Sequence, residues 1–153
     1  MLTRWLEWTA QAPEEVTTAY RHLRFPPLPD LLEPFRGRNL VMIDGAVLAN
    51  DAQAERILRP LRELQPDLDT LARVPVTAVS RIHLDPEQPV PGDGASELLD
   101  ALPPSAVGKL IEAAGAESGT SLFSTERLHL GGAAHWVVRR QAVARSPAST
   151  RSS

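Results

Sequence analysis

The residues best able to do chemistry lie near the end of a predicted strand that covers residues 120–130. Glu126 supplies a carboxylate and His129 an imidazole, and both groups commonly move protons in enzymes. Successive side chains of a strand point to opposite faces, so at most one of these two can face a single ligand. Gly131 and Gly132 follow, and they either form a turn or let the backbone approach a flat ligand closely. The residues alone favour the turn.

Other motifs in the chain are incomplete. Residues 92–94 begin like a dinucleotide fingerprint, but the third glycine is missing and a proline-rich loop precedes them. In residues 115–119 the serine stands one place too late for a nucleophile elbow. Asp85 and Glu87 could form an acid/base set with His83, but a capped turn explains Asp85 equally well, and we favour the turn.

The histidines show no metal-binding pattern. No two of them stand at helical metal spacing and no acidic cluster surrounds them, so we expect no metal site. Three of them, His22, His83 and His135, are expected to be ordinary surface or hydrogen-bonded side chains.

The composition indicates one globular domain. Of the 153 residues, 42% are hydrophobic and 23% charged, which is enough for a core without disulfides or metals. The absence of cysteine excludes a disulfide framework, a cysteine nucleophile and a thioether flavin link within the chain. The net charge of −3 argues against a nucleic-acid partner, and no apolar run approaches membrane-spanning length. We expect a soluble, cytoplasmic protein that does not contact membranes.

The order of predicted elements is that of an α+β fold with helices on one face of a mostly antiparallel sheet. Tyr, His, Thr, Arg and Glu side chains are expected on the opposite face, which would be solvated or would cover a partner or ligand. Residues 40–43 form a continuous apolar run, so both faces of that strand are expected to be covered. Strands are predicted at residues 16–25, 39–47, 69–74 and 120–130. Helices are predicted at the N-terminus, after a cap at Asn50 or Asp51, after Pro75, over 97–102 and from Pro104. Val76 and Val79 are expected to face inward.

Residues 139–153 are basic and poor in apolar side chains, which predicts a disordered tail after a domain of residues 1–138.

Four groups of residues, taken in order, are similar to a known family. They are LRFPPLPD at 23–30 with FRGR at 35–38 and IDGA at 43–46; PLR at 60–62 with Leu64, Pro66, Asp69 and Thr70; IHLDPE at 82–87 with Pro89, Pro91, Gly92 and Asp93; and ERLHLGGA at 126–133. Together they resemble the substrate-side domain of bacterial FAD-linked oxidoreductases of the berberine-bridge type, over nearly all of residues 5–133.

The resemblance implies a division of labour between two domains. A separate flavin domain would hold the FAD, while this domain lays its sheet over the flavin ring and shapes the pocket of a small-molecule substrate, which is oxidised by hydride transfer to the flavin. Glu126 and His129 would be acid/base or substrate-orienting groups. Gly131 and Gly132 would form the close approach to the cofactor, and Tyr20 and His22 would be pocket wall on a neighbouring strand. For Tyr20 and His22 a half-exposed strand face without a direct role is the favoured interpretation.

The chain also departs from that family. The flavin-binding half and the later strands are absent, and the last strand reads Glu126-Arg127-Leu128-His129, where relatives are expected to read Glu-Leu-Arg-His. We therefore expect a fragment that is inactive alone: a truncated or split gene product, a domain produced by itself, or one half of a two-chain enzyme whose other half is a separate flavin-binding chain. The alternative is a stand-alone binding or dimerisation module without flavin, which would use its polar sheet face for a protein partner.

Overall fold

The computed structural model describes residues 1–31, 33–85 and 92–131. The predicted tail 139–153, Gly132 and His135 lie outside these ranges. In chain order the elements are helix α1 (Leu2–Thr9), strand β1 (Val16–Arg24), strand β2 (Asn39–Val47), helix α2 (Asp51–Arg62), a 3₁₀ helix (Val76–Arg81), helix α3 (Pro104–Ala114) and strand β3 (Ser124–His129). None of the helices in the described ranges is long and apolar enough to cross a membrane.

The three strands form one antiparallel sheet in the order β2-β1-β3. The central strand β1 pairs with β2 from Val16↔Val47 to Arg24↔Asn39, and with β3 from Thr18↔His129 to Leu23↔Ser124. Together with the helices this sheet confirms the predicted α+β class.

Helices α1 and α3 cover one face of the sheet, which we call the helix face. The Trp5 indole Nε1 of α1 donates to Thr18 Oγ1 at 3.3 Å, and the Trp5 ring lies 5.8 Å from the Tyr20 ring. His22 Nδ1 lies 2.6 Å from the carbonyl oxygen of Ala114, at the end of α3. The expectation that Tyr and His side chains lie opposite the helices is therefore wrong. Alternation along β1 puts Thr18, Tyr20 and His22 together, and it is this face that the apolar side of α1 covers.

The other side of the sheet, which we call the opposite face, carries Ala19, Arg21 and Leu23 of β1. These three side chains are buried, although Arg21 is charged. The register adds Asp44 from β2 and Glu126 from β3 to the same face.

Helix α2 begins at the predicted cap, where Asn50 Oδ1 accepts from the backbone N–H of Gln53 at 2.9 Å. It continues through Pro60 to Arg62 as one helix. The Trp8 indole Nε1 of α1 donates to the Ile57 carbonyl at 2.9 Å and joins the two helices.

Two predicted elements do not form. Residues 69–74 are not a strand, because Asp69 accepts from the Leu71 N–H and pairs with Arg62, which holds the chain in a local turn. Residues 97–102 are not a helix, since Leu98 and Leu99 remain exposed and a six-residue helix needs packing to be stable.

Two burial expectations are also corrected. Val76 and Val79 face outward from the 3₁₀ helix, with Val76 84% exposed. Strand β2 is half-buried and Val41 is exposed, because β2 is an edge strand of the described sheet with a neighbour on one side only.

Candidate functional site

The sheet register brings three of the predicted site residues together on the helix face. Tyr20 stands across from Arg127, and His129 stands across from Thr18, two residues along β1 from Tyr20. His22 continues the same row. The prediction that Tyr20 and His22 lie on a strand next to the one carrying His129 is therefore confirmed as a placement.

Access to this cluster is limited. Tyr20 and His22 are each 7% exposed, so the expected half-exposed strand face is wrong, and the reason is the cover supplied by α1 and α3. A small cavity of about 30 Å³ is lined by both side chains. His22 Nδ1 donates to the Ala114 carbonyl, which can only accept, so this imidazole anchors the end of α3.

Burial also changes the protonation behaviour of this face. It raises the pKa of Tyr20, against a smaller lowering by nearby Arg127, and it lowers the pKa values of Arg127 and His129. Arg127 Nε and His129 Nδ1 are buried with no hydrogen-bond partner among the described residues. The Arg127 guanidinium lies 6.0 Å from the Tyr20 ring centre, within reach of a cation–π contact. The side chains on the helix face are therefore shielded from water and contact one another.

Gly131 lies close to a flat group, but that group is the ring of His129, which belongs to the chain itself. A Cβ built on Gly131 would come within 2.4 Å of the His129 ring atoms Cε1 and Nε2. The His129 imidazole therefore occupies the space in which a side chain at position 131 would lie.

Glu126 lies on the opposite face, away from His129, as strand alternation predicts. It stands across from Arg21 of β1, and its side chain is exposed. Its neighbour on the same face, Leu128, is 60% exposed. The structure thus separates the two predicted acid/base groups and gives solvent access to Glu126.

The opposite face carries a second set of charged groups, which the motifs did not reveal. Arg21 is 4% exposed, and its Nε donates to Asp44 Oδ2 at 2.6 Å. Arg21 Nη2 donates to the main-chain carbonyl of His83 at 2.8 Å, and His83 Nδ1 lies 3.0 Å from Asp44 Oδ1. Arg21, Asp44 and His83 therefore form one charge cluster on the face that carries Glu126.

A weak signal for this charge cluster was present in the sequence. Asp44 interrupts the apolar stretch of a predicted strand, which indicates a charge at a buried position that needs a partner. His83 lies 39 residues beyond Asp44 along the chain, so only the fold could reveal that it joins this cluster.

A wider groove lies elsewhere. It measures about 560 Å³, runs between α1 and α2, and is lined by Arg4, Glu7, Trp8 and Arg56 among others. Tyr20, His22, Glu126, His129 and Gly131 are not among its lining residues. Within the ranges that the structure describes, no group of three or more His, Asp or Glu side chains is placed to hold a metal ion.

Comparison of the chain with models of protein families, with curated proteins and with solved structures found no match. Function is therefore inferred from the surfaces and side chains of this chain, and the opposite face is the one that combines solvent access with acid/base groups.

Proposed function

We propose that this chain is the substrate-side part of an FAD-dependent oxidoreductase, and that a separate flavin-binding chain or domain supplies most of the FAD site. The observation that carries the proposal is the exposed region of β3 on the opposite face. There Glu126 lies beside two exposed apolar side chains, Leu128 and Leu130, and Leu130 directly precedes Gly131. Exposed apolar side chains next to a carboxylate suit contact with an apolar ring and with a small polar substrate.

In this proposal Glu126 orients the substrate or exchanges a proton with it. When bound, the flavin would supply the hydride acceptor. His129 is placed on the helix face, so Glu126 is the better supported of the two acid/base candidates. Tyr20 and His22 then act from behind the sheet: Tyr20 packs against α1 and His22 holds α3, so they support the pocket without touching its contents.

The remaining parts of the proposal concern partners and place. A small molecule and a flavin-binding chain are the proposed partners, and the net charge of −3 is in keeping with the absence of nucleic acid among them. We assign the protein to the cytoplasm, in keeping with a chain that contains no cysteine.

A titration of the purified chain with FAD tests the proposal. We expect saturable quenching of flavin fluorescence, weakened about tenfold or more by Leu128→Asp, which puts a charge on the proposed contact surface. Val76→Asp is the control, since Val76 is also exposed (84%, against 60% for Leu128) but lies on the 3₁₀ helix, and it should leave the titration unchanged. Failure of the wild-type chain to saturate below about 1 mM FAD contradicts a flavin surface on this face.

The second candidate is a binding or dimerisation module without flavin. It is favoured by one observation: β3 is an edge strand of the described sheet, and several apolar side chains beside it are exposed. They are Leu122, Phe123, Leu128 and Leu130. Exposed apolar patches and free strand edges are typical of protein–protein contacts. Association of the chain with itself, without any response to FAD, distinguishes this candidate from the first.

A further inference from the structure

The His83 imidazole is oriented by a buried carboxylate. Asp44 Oδ2 is occupied by Arg21 Nε, and Asp44 Oδ1 lies 3.0 Å from His83 Nδ1. Both Oδ1 and Nδ1 are buried, and neither has any other hydrogen-bond partner among the described residues. The two atoms are within ion-pair distance but are not aligned as a formed hydrogen bond, which is common at catalytic groups before a ligand binds.

This arrangement determines which ring nitrogen is free. An ionised carboxylate only accepts, so the stable pairing puts the hydrogen of the neutral ring on Nδ1 and leaves the lone pair on Nε2. The His83 side chain is 40% exposed although Nδ1 is buried, so the exposed part of the ring is the edge away from Asp44.

The main chain of His83 is held by the same ion pair. Arg21 Nη2 donates to the His83 carbonyl, so one buried guanidinium positions both the carboxylate and the residue that carries the imidazole. Arg21 and Asp44 already neutralise each other, and a structural ion pair would be complete without His83. The ring adds a group that can take up a proton while Asp44 stabilises the resulting imidazolium.

We propose that Asp44 and His83 form a proton-transfer dyad, in which His83 Nε2 accepts the proton of a hydroxyl group on a small molecule bound at the opposite face. The O–H bond breaks, its electron pair stays on the substrate oxygen, and a new N–H bond forms at Nε2. Asp44 is a positioning residue, since it acts through the ring. Under the proposed function, a bound flavin would supply the acceptor for the hydride from the carbon that bears this oxygen.

The position of Glu126 narrows the substrate class. The register and the ordinary strand spacing put the Cα atoms of Asp44 and Glu126 about 12 Å apart on one face. A ligand that extends from the exposed edge of the His83 ring to the exposed Glu126 carboxylate would present an alcohol to His83 and a hydrogen-bond donor or cation to Glu126. This assignment to an amino alcohol or polyol rests on the proposed function, whereas the dyad itself does not.

The dyad is tested by the state and reactivity of the His83 ring. In ¹⁵N NMR of the full chain near neutral pH, we expect the His83 ring to carry its hydrogen on Nδ1, and Asp44→Asn to shift this preference.

Diethyl pyrocarbonate then probes the free nitrogen: the Nε2 lone pair attacks a carbonyl carbon, and ethanol and carbon dioxide leave. The tryptic peptide 82–109 contains His83 as its only histidine, so mass spectrometry follows this site alone.

Asp44→Asn should slow modification of that peptide about fivefold or more. The matched control is Asp85→Asn, which removes an equal charge two residues from His83 and should change the rate less than about twofold. A hydrogen on Nε2 in the wild-type chain overturns the dyad, and so does an unchanged rate in a folded Asp44→Asn chain. The wild-type NMR result holds even where that variant fails to fold. If the His83 tests succeed and FAD does not bind, the dyad stands and the flavin proposal fails. If FAD binds and the His83 tests fail, the flavin proposal stands and the dyad fails.

Discussion

At the scale of single residues, the buried pair of Arg21 and Asp44 is the feature with the largest consequence. A buried ion pair often adds little net stability, because desolvation offsets the attraction, but removing one partner leaves an uncompensated buried charge. Its neighbours Ala19 and Leu23 are buried as well, so water cannot replace the lost partner.

We therefore expect Arg21→Ala to lower the free energy of unfolding by about 3–5 kcal/mol, measured by urea denaturation. Arg4→Ala is the control, since it removes an arginine from the exposed pair with Glu7 and should cost less than about 1 kcal/mol. Equal losses in the two variants would mean that Arg21 is solvated in solution.

His129 should make the free energy of unfolding depend on pH. Burial lowers its pKa in the folded state, so between that value and the ordinary imidazole value of about 6.5 the unfolded chain binds more protons. Stability contributed by this residue is therefore present above about pH 6.5 and is lost as the pH falls below it. Other groups also titrate, so the comparison is with His129→Asn. We expect the difference in unfolding free energy between the wild type and this variant to shrink as the pH falls from 7 to 5, and a constant difference contradicts the burial.

At the scale of elements, the pairing of β1 with β2 depends on a glycine. Gly45 has a φ of +156°, and a Cβ built there would lie 2.2 Å from the Thr17 carbonyl oxygen and 2.8 Å from Thr18 Cα. These are backbone atoms of the neighbouring strand, so they cannot move aside without separating the two strands.

Gly45→Ala should accordingly destabilise the fold by about 2–3 kcal/mol in thermal or urea unfolding. Gly108→Ala offers a matched control with the opposite sign. Gly108 lies inside α3 with no atom near its would-be Cβ, so alanine there should stabilise the chain by about 0.5–1 kcal/mol. Equal effects at the two positions would contradict the close β1–β2 approach.

At the scale of the whole molecule, the two faces of the sheet differ in how far they are buried. The helix face is closed by α1 and α3 and forms the core, with Leu2, Trp5, Tyr20 and Val107 packed together. The opposite face is covered at Arg21 and open at β3, where Leu128 and Glu126 are exposed. This asymmetry favours a partner or ligand on one side of the sheet only.

Sedimentation velocity over a range of concentrations checks what the open side does. If the module without flavin is the correct reading, the wild-type chain should form dimers, and Leu128→Asp should shift it to monomers with no effect of added FAD. Val76→Asp again serves as the control, since its charge lies on the 3₁₀ helix and should not change the association state. A wild-type chain that stays monomeric and binds FAD supports the flavin proposal instead.

The sequence by itself determined the elements with strong local signals. β-Branched and aromatic residues predicted a strand at 16–25, which the structure has at 16–24, and an apolar run predicted the strand at 39–47. A cap at Asn50 predicted the start of α2, and Pro104 predicted the start of α3. The α+β class and the opposite directions of Glu126 and His129 follow from the same local rules, because strand period is a property of the backbone.

Only the tertiary structure decided which groups meet and which face is open. The α1 helix packs on Tyr20 and buries it, whereas Leu98 and Val76 are exposed. The apolar pattern of the sequence could not show which of these side chains would be buried. The meeting of Arg21, Asp44 and His83 depends on strand register and on the path of a distant loop. Such contacts arise from the packing of elements far apart in the chain, and local sequence patterns do not show which distant residues will meet.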